Sequence, residues 1–202
     1  MSGDSTSNVA AWRTELPTLV GRMALLREPV ASDLGALVDL LSLRDSALFG
    51  LDEPVSDVAV QELIERAAAE RVRGLAFTYV ITLASARTVV GLVHVRQLDP
   101  MFEAAEWECT VAPSARGSGV FLEMARLVGS FTFGTIGTHR LEARVLLQNG
   151  RANGALRKLG AVQEGVLRRA VRRNGEYLDQ VLWSLLKDDW GGHWVSTAPR
   201  VH

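Results

Sequence analysis

A single cysteine, Cys109, excludes any intrachain disulfide and makes a reducing cytoplasm the expected compartment. Four histidines, His94, His139, His193 and His202, are too scattered for metal-ligand spacing, so no metal is expected. No apolar stretch approaches the roughly 20 residues that cross a bilayer. The polar, acidic start Met1-Ser2-Gly3-Asp4-Ser5-Thr6-Ser7-Asn8 has neither the basic opening nor the apolar run of a signal peptide. An excess of one charge is also missing. With 22 Lys and Arg against 23 Asp and Glu, the net charge of -1 argues against general binding to DNA or to a membrane surface. The local exception is Arg168-Arg169 and Arg172-Arg173, flanking a predicted hairpin. They read as a solvated basic turn or as a contact for a phosphorylated ligand or ribosomal RNA.

What is present suits one soluble domain. The 202 residues, 48% hydrophobic and 22% charged, can bury one good core, and no repeat or composition shift marks a second. A single domain is expected over residues 16–190, between flexible tails at 1–15 and 191–202. Leu19 to Glu28 reads as a first strand. Ser32 is placed to cap a helix with Leu34, Leu37, Val38 and Leu41 on one face. After a loop from Leu48 to Pro54, Ser56 caps a second helix. It turns Val60, Leu63, Ile64 and Ala67 inward and Glu62, Glu65, Arg66, Glu70 and Arg71 outward, and ends at Gly74. Ala76 to Leu83 and Thr88 to Gln97 read as a hairpin, and Ala105 to Val111 as the next strand. A helix from about Ser118 to Phe133, a strand from Arg140 to Leu147 and a short helix from Arg151 to Leu159 follow. Val162 to Arg172 and Tyr177 to Leu186 form a last hairpin around Asn174-Gly175. The order predicts a mixed α/β (α+β) arrangement.

One turn carries chemistry. Val111-Ala112-Pro113-Ser114-Ala115-Arg116-Gly117-Ser118-Gly119-Val120 joins a strand-like run to a helix-like run. Such a turn leaves backbone N–H groups unpaired at the positive end of a helix dipole, which suits a phosphate or pyrophosphate. Gly117 and Gly119 have no Cβ to block an oxygen-rich ligand and tolerate positive φ. No Lys-Ser/Thr pair follows the last glycine, so this is not a Walker loop, and it does not match the dinucleotide fingerprint. Alone, the turn is weak evidence, because most such turns simply start a helix.

A second segment, Asn149-Gly150-Arg151-Ala152-Asn153-Gly154-Ala155-Leu156-Arg157-Lys158-Leu159-Gly160-Ala161, precedes Glu164-Gly165. Together with Arg116-x-x-Gly119 and Gly175-x-x-x-Asp179, it resembles the GNAT superfamily of acetyl-CoA-dependent N-acetyltransferases. The match is nearest the branch of ribosomal-protein serine and alanine N-terminal acetyltransferases, and runs from about Leu16 to Trp190. The resemblance implies a mostly antiparallel sheet of about seven strands flanked by about four helices. It also implies acetyl-CoA as co-substrate, its pyrophosphate on Arg116, Gly117, Ser118, Gly119 and Val120. The pantetheine arm would lie along Cys109, Thr110 and Val111 and meet Asn149, which otherwise reads as a turn residue. The chain departs from the family at three places: Phe121 replaces a small residue, Ala152 a serine, and Leu156 the tyrosine that serves as general acid.

For a base, Glu106 and Glu108 lie two apart on one predicted strand and so face one side of the sheet. Either could accept the proton of an ammonium substrate. The resemblance implies a glutamate at Glu106 and a small residue at Glu108, which makes Glu106 the better match and Glu108 this chain's own addition nearer the thioester. Either could instead pair with an arginine such as Arg96 or Arg144. Cys109 on an apolar strand reads as a small core residue and not a nucleophile, and His94 as a core or cleft-lining residue. The expected acceptor is a protein or peptide N-terminal amine. A small amine (amino acid, polyamine or amino-sugar drug) and a non-catalytic acyl-CoA-binding module are the alternatives. A homodimer is also expected, because the last strand carries apolar residues on both faces (Val181, Trp183 and Leu185; Leu182 and Leu186) and Trp190 follows.

Overall fold

Alternating apolar runs make one mixed sheet of eight strands: β1 Leu19–Val20, β2 Ala24–Arg27, β3 Ala76–Leu83, β4 Val89–Gln97, β5 Ala104–Val111, β6 Arg140–Leu146, β7 Val162–Arg173 and β8 Glu176–Leu186. This computed structural model describes residues 11–43, 49, 51, 54–173 and 175–190. Residues 1–10 of the tail expected at 1–15, the tail expected at 191–202, most of the loop around Leu48 to Pro54, and Asn174 lie outside the described residues. The strand order is β1-β2-β3-β4-β5-β6-β8-β7. Every neighbouring pair is antiparallel except β5 and β6, which run parallel. Four helices of two turns or more flank the sheet: α1 Leu34–Leu41, α2 Asp57–Arg73, α3 Val120–Ser130 and α4 Gly150–Lys158. A short turn at Lys187–Trp190 follows β8. None of the described helices is long and apolar enough to cross a membrane.

Each sheet face has its own core. On one face, α3 presents Val120, Met124, Ala125 and Val128, all buried, to a floor that includes Phe77, Tyr79, Val93 and Trp107. Burying side chains of this size stabilises by about 1.5–3 kcal/mol each. On the other face, Leu37, Leu40 and Leu41 of α1 and Val60 and Leu63 of α2 close over Val80 and Leu92, with Phe49 and Leu51 beside them. The Ser56 cap and the Gly74 stop are as expected: Ser56 Oγ accepts from Ala59 N at 3.2 Å, and Gly74 is left-handed at φ 72°.

Several expectations change. The first strand is a hairpin, Leu19 opposite Leu26 and Val20 opposite Leu25, turning at Gly21. The cause is distant in sequence. The Glu123 carboxylate, on the first turn of α3, accepts from Arg22 N, Met23 N and Ala24 N, each at 2.8 Å. A Cβ on Gly21 would stand 2.6 Å from that carboxyl group. Glu123→Ala is expected to lower stability by about 1–2 kcal/mol in a urea titration, as charge-assisted bonds to a partly exposed turn are lost.

Ser32 is not a cap; it lies within a 3-10 turn, Ala31–Asp33, that leads into α1. Asp33 organises this entry, accepting from Val30 N at 2.9 Å and from Arg27 Nη2 at 2.7 Å. Arg71 points inward, pairing with Glu28 Oε1 at 2.6 Å and donating to the Arg13 carbonyl. At the N-terminal end, packing begins before residue 16: Trp12 is buried, edge-on to Phe77 and Phe102. β8 is not an edge strand but sits between β6 and β7. Val181, Trp183 and Leu185 are core, and the Trp190 ring packs on Phe133 at 5.3 Å, so the apolar surface that suggested a dimer is spent inside the fold.

Candidate active site

The site begins where two parallel strands part. β5 and β6 pair only over Ala104–Glu106 with Arg140–Glu142. Beyond that point β5 continues to Val111 with β4 alone on its other side. In an antiparallel ladder successive residues direct their backbone groups alternately to one side and the other. Ala112 N–H donates to Val90 O at 2.7 Å and Leu98 N–H to Ala104 O at 2.8 Å. Even-numbered residues of β5 therefore pair with β4, and Trp107, Cys109 and Val111 aim their backbone groups into the gap. No strand among those described pairs with them there.

The gap opens into a cleft of about 520 Å³. Toward the α3 face it is lined by Phe121, Asn149, Ala152 and Leu156. Toward the other face it is lined by Phe49, Leu51, Val171 and Arg173. The three positions where the sequence departs from its family thus all line the same wall. Phe121 stacks near Trp107 at 6.3 Å, and Leu156 is buried.

Glu106 and Glu108 both line the cleft, as their spacing predicts, yet their surroundings differ. Glu106 is buried and ion-paired twice, with Arg96 and with Arg144 Nη1 at 3.3 Å. Arg144, Glu142, Arg140 and Glu164 continue this ladder of alternating charge across β6 to β7. Glu108 has no arginine within ion-pair distance among the described residues and accepts one backbone bond, from Phe49 N at 3.2 Å. Burial, reinforced by the neighbouring Glu106 carboxylate, holds its carboxyl above the usual glutamate range, against the pull of the Phe49 bond, Arg96 and Arg173. His94 lies opposite Glu108 across the β4–β5 ladder, its Nδ1 2.9 Å from Thr78 Oγ1. Burial, with Arg66 and Arg96 nearby, pushes it down to about 4, so it is neutral at physiological pH. Cys109 is pushed up to about 12 by burial, which keeps it a thiol.

The turn before α3 has the predicted geometry. Pro113–Ala115 form a 3-10 turn, and Gly117 and Gly119 take φ of 77° and 93°. Gly119 is the N-cap of α3, with no side-chain cap bond, and Arg116 Nε folds back onto Val111 O at 3.2 Å. Ser118 Oγ donates to Ala115 O at 2.6 Å, which holds the loop closed upon itself. Ser118 Oγ also accepts from Val120 N–H, the first of α3, at 3.4 Å. At the far wall, Asn149 caps α4 by accepting from Ala152 N at 3.1 Å.

Three residues named in the sequence only within motifs or a basic turn, Asn153, Asp179 and Arg173, have definite places in the structure. Asn153 donates through Nδ2 to Leu146 O at 3.0 Å and accepts from Trp183 Nε1 at 2.8 Å, pinning the β6–α4 turn to the core. Its signal was a poor helix former beside Gly154 inside a short helix. Asp179 accepts from Arg169 N at 2.8 Å across a bulge where Leu167 faces Gln180 and Val171 faces Leu178. Arg173 then enters the cleft. Among the described residues no cluster of His, Cys, Asp and Glu could hold a metal.

The chain is similar to known proteins in sequence and in fold. The profile of the acetyltransferase (GNAT) domain matches residues 24–162. The chain is 25% identical over 105 residues to Bacillus subtilis YdaF, named as a ribosomal N-acetyltransferase on provisional grounds, covering 52% of this chain and 57% of that one. It is 25% identical over 93 residues to the spermidine N(1)-acetyltransferase of Vibrio cholerae, covering 46% of this chain and 54% of that one. In both, the chain spans little more than half the relative's length. Its fold superposes on Mycobacterium smegmatis RimJ in complex with CoA-disulfide with a TM-score of 0.73 at 22% identity, over 83% of this chain and 84% of that one. A parted strand pair beside a glycine-bearing helix start without a side-chain cap, under a family profile spanning most of the fold, leads to one identification: the chain belongs to the GNAT acetyltransferase family.

Proposed function

We propose that the chain moves an acetyl group from acetyl-CoA to a primary amine by direct attack in a ternary complex, with a protein or peptide N-terminus as the acceptor. The observation that supports this is Glu108: a carboxyl held above its usual range, in a cleft beside the unpaired backbone of Trp107 and Cys109. The pyrophosphate of acetyl-CoA is assigned to the turn from Arg116 to Val120, and the pantetheine arm to the open side of β5 near Cys109, Thr110, Val111 and Asn149. Glu108 takes the proton of the substrate ammonium. The amine nitrogen then attacks the thioester carbonyl carbon, and backbone N–H groups of β5 stabilise the oxyanion. As the C–S bond breaks, CoA leaves as a thiolate and the proton lost by the nitrogen passes to solvent. With a thiol pKa of about 8.5 the leaving group needs little help, which fits a wall with Leu156 in place of a tyrosine. Glu106, held by two arginines, is a positioning residue that raises the proton affinity of Glu108.

A screen of peptides and small amines for CoA release is the test. Turnover with N-terminally free peptides but not with their blocked forms supports the reading. Turnover with spermidine alone would give the acceptor site to a polyamine. No release with any amine, together with tight acetyl-CoA binding, would make the chain a binding module. Direct attack has its own check: Cys109→Ala is expected to keep kcat within a few-fold of wild type, with no acyl-enzyme in rapid-quench mass spectra. A variant without activity, or a trapped acetyl-cysteine in the parent, would establish a ping-pong route.

A further inference from the structure

The charge ladder inside the cleft is balanced, but the hairpin at its rim is not. Four arginines fall within six residues, Arg168, Arg169, Arg172 and Arg173, in a chain whose net charge is -1. Of the acids on and beside the hairpin, Glu164 is engaged with Arg140 and Ser184, Asp179 with the Arg169 backbone, and Glu176 stands opposite Arg173 in the strand register. Among the described residues no carboxylate lies within ion-pair distance of Arg168, Arg169 or Arg172; all three are exposed, and the Arg172 guanidinium lies over the exposed Tyr177 ring at 5.8 Å. The bulge at residues 168–170, where Arg169 takes φ 51°, bends the hairpin so that Ala170, Val171 and Arg173 reach the cleft. That mouth, shared with Phe49 and Leu51, is the one Glu108 faces. α3, whose start is assigned to the pyrophosphate, packs on the opposite face of the sheet.

We infer that this hairpin is a docking rail for an acidic acceptor: a peptide whose N-terminal amine reaches Glu108 and whose following residues carry carboxylates onto Arg168, Arg169 and Arg172. The inference rests on the peptide reading above. A polyamine is the wrong chemistry for this mouth, because its added cations would meet guanidinium groups. An RNA strand would be expected to track a longer basic surface than one hairpin tip, and its conjugated exocyclic amino groups are neither protonated at neutral pH nor good nucleophiles, so they give a base in the cleft no ammonium to deprotonate. Clustered positive charge at a cleft mouth raises the encounter rate and local concentration of anionic substrates, and salt screens the effect.

The test uses the whole chain and peptides that share their first two residues and continue with glutamates, serines or lysines. The glutamate peptide is expected to exceed the serine peptide by about 10-fold in kcat/KM at low salt. The difference should lie in KM and shrink as salt rises. In the double variant Arg168→Gln/Arg172→Gln the ratio is expected to collapse toward one, while Arg168→Lys/Arg172→Lys retains it. Equal kcat/KM for glutamate and serine peptides, or a ratio that survives the glutamine variant, would overturn the rail while leaving the peptide reading intact. Turnover of spermidine with no peptide acetylated would instead overturn that reading, and the rail with it. Arginine-dependent binding of single-stranded RNA without any peptide charge preference would overturn the rail in favour of RNA.

Discussion

Glu108→Gln is expected to lower kcat at neutral pH by about 10²–10⁴-fold, the usual size of a general-base contribution. Glutamine keeps the size and the acceptor for Phe49 N–H but cannot take a proton. Part of the rate should return at high pH, where the amine is already deprotonated. In the parent enzyme kcat/KM should rise with pH as Glu108 ionises, through a midpoint above the ordinary glutamate range. The same environment sets the sign of the stability change. A carboxyl with a raised folded-state pKa contributes stability that is present below the unfolded pKa and lost as pH rises through the folded one. Ionised Glu108 therefore weakens the fold at neutral pH, and Glu108→Gln should melt at or above the parent at pH 7. Glu106→Gln should behave in the opposite way. It leaves Arg96 and Arg144 without their shared carboxylate, at a cost of about 2 kcal/mol, between the limits for exposed and buried ion pairs. Equal pH–rate profiles for the parent and Glu108→Gln would remove the base and leave catalysis to positioning and backbone dipoles.

Gly119→Asp is expected to weaken acetyl-CoA binding by at least about 10²-fold, since juxtaposing like charges costs several kcal/mol. The carboxylate would stand at the uncapped start of α3, where the pyrophosphate is assigned. Gly119 has φ 93°, so any side chain adds about 1–3 kcal/mol of backbone strain. Its Cβ would come 3.1 Å from the flexible methyl end of Met23, which can move aside. Gly119→Ala carries the same strain without the charge. Calorimetry on both variants separates the effects: Gly119→Ala should keep most of the affinity, and Gly119→Asp should lose it. Unchanged affinity in a folded Gly119→Asp protein would move the cofactor site elsewhere.

Much of this was legible in the residues. The α2 boundaries, the β3–β4 hairpin, the left-handed glycines and the shared face of Glu106 and Glu108 follow from local rules: caps, turn residues and the two-residue period of a strand. Those rules act within a few residues, so a single sequence exposes them. The turns at Arg116-x-x-Gly119 and at Asn149 were readable for the same reason.

Tertiary structure decided what depends on groups far apart in sequence. Glu123 broke the first strand from about 100 residues away. Glu28 drew Arg71 inward from a helix face that reads as solvated. β8 slipped between β6 and β7, which turned an apparently sticky edge into core. By resemblance Glu106 was the better match for the acid, and only the parting of β5 from β6 separated the surroundings of the two glutamates. It placed Glu106 within reach of two guanidinium groups and left Glu108 with burial and one backbone bond. Periodicity specifies the face of a sheet on which a side chain lies. Whether a charge there is paired or strained depends on which strands meet across the gap, a long-range choice set by packing.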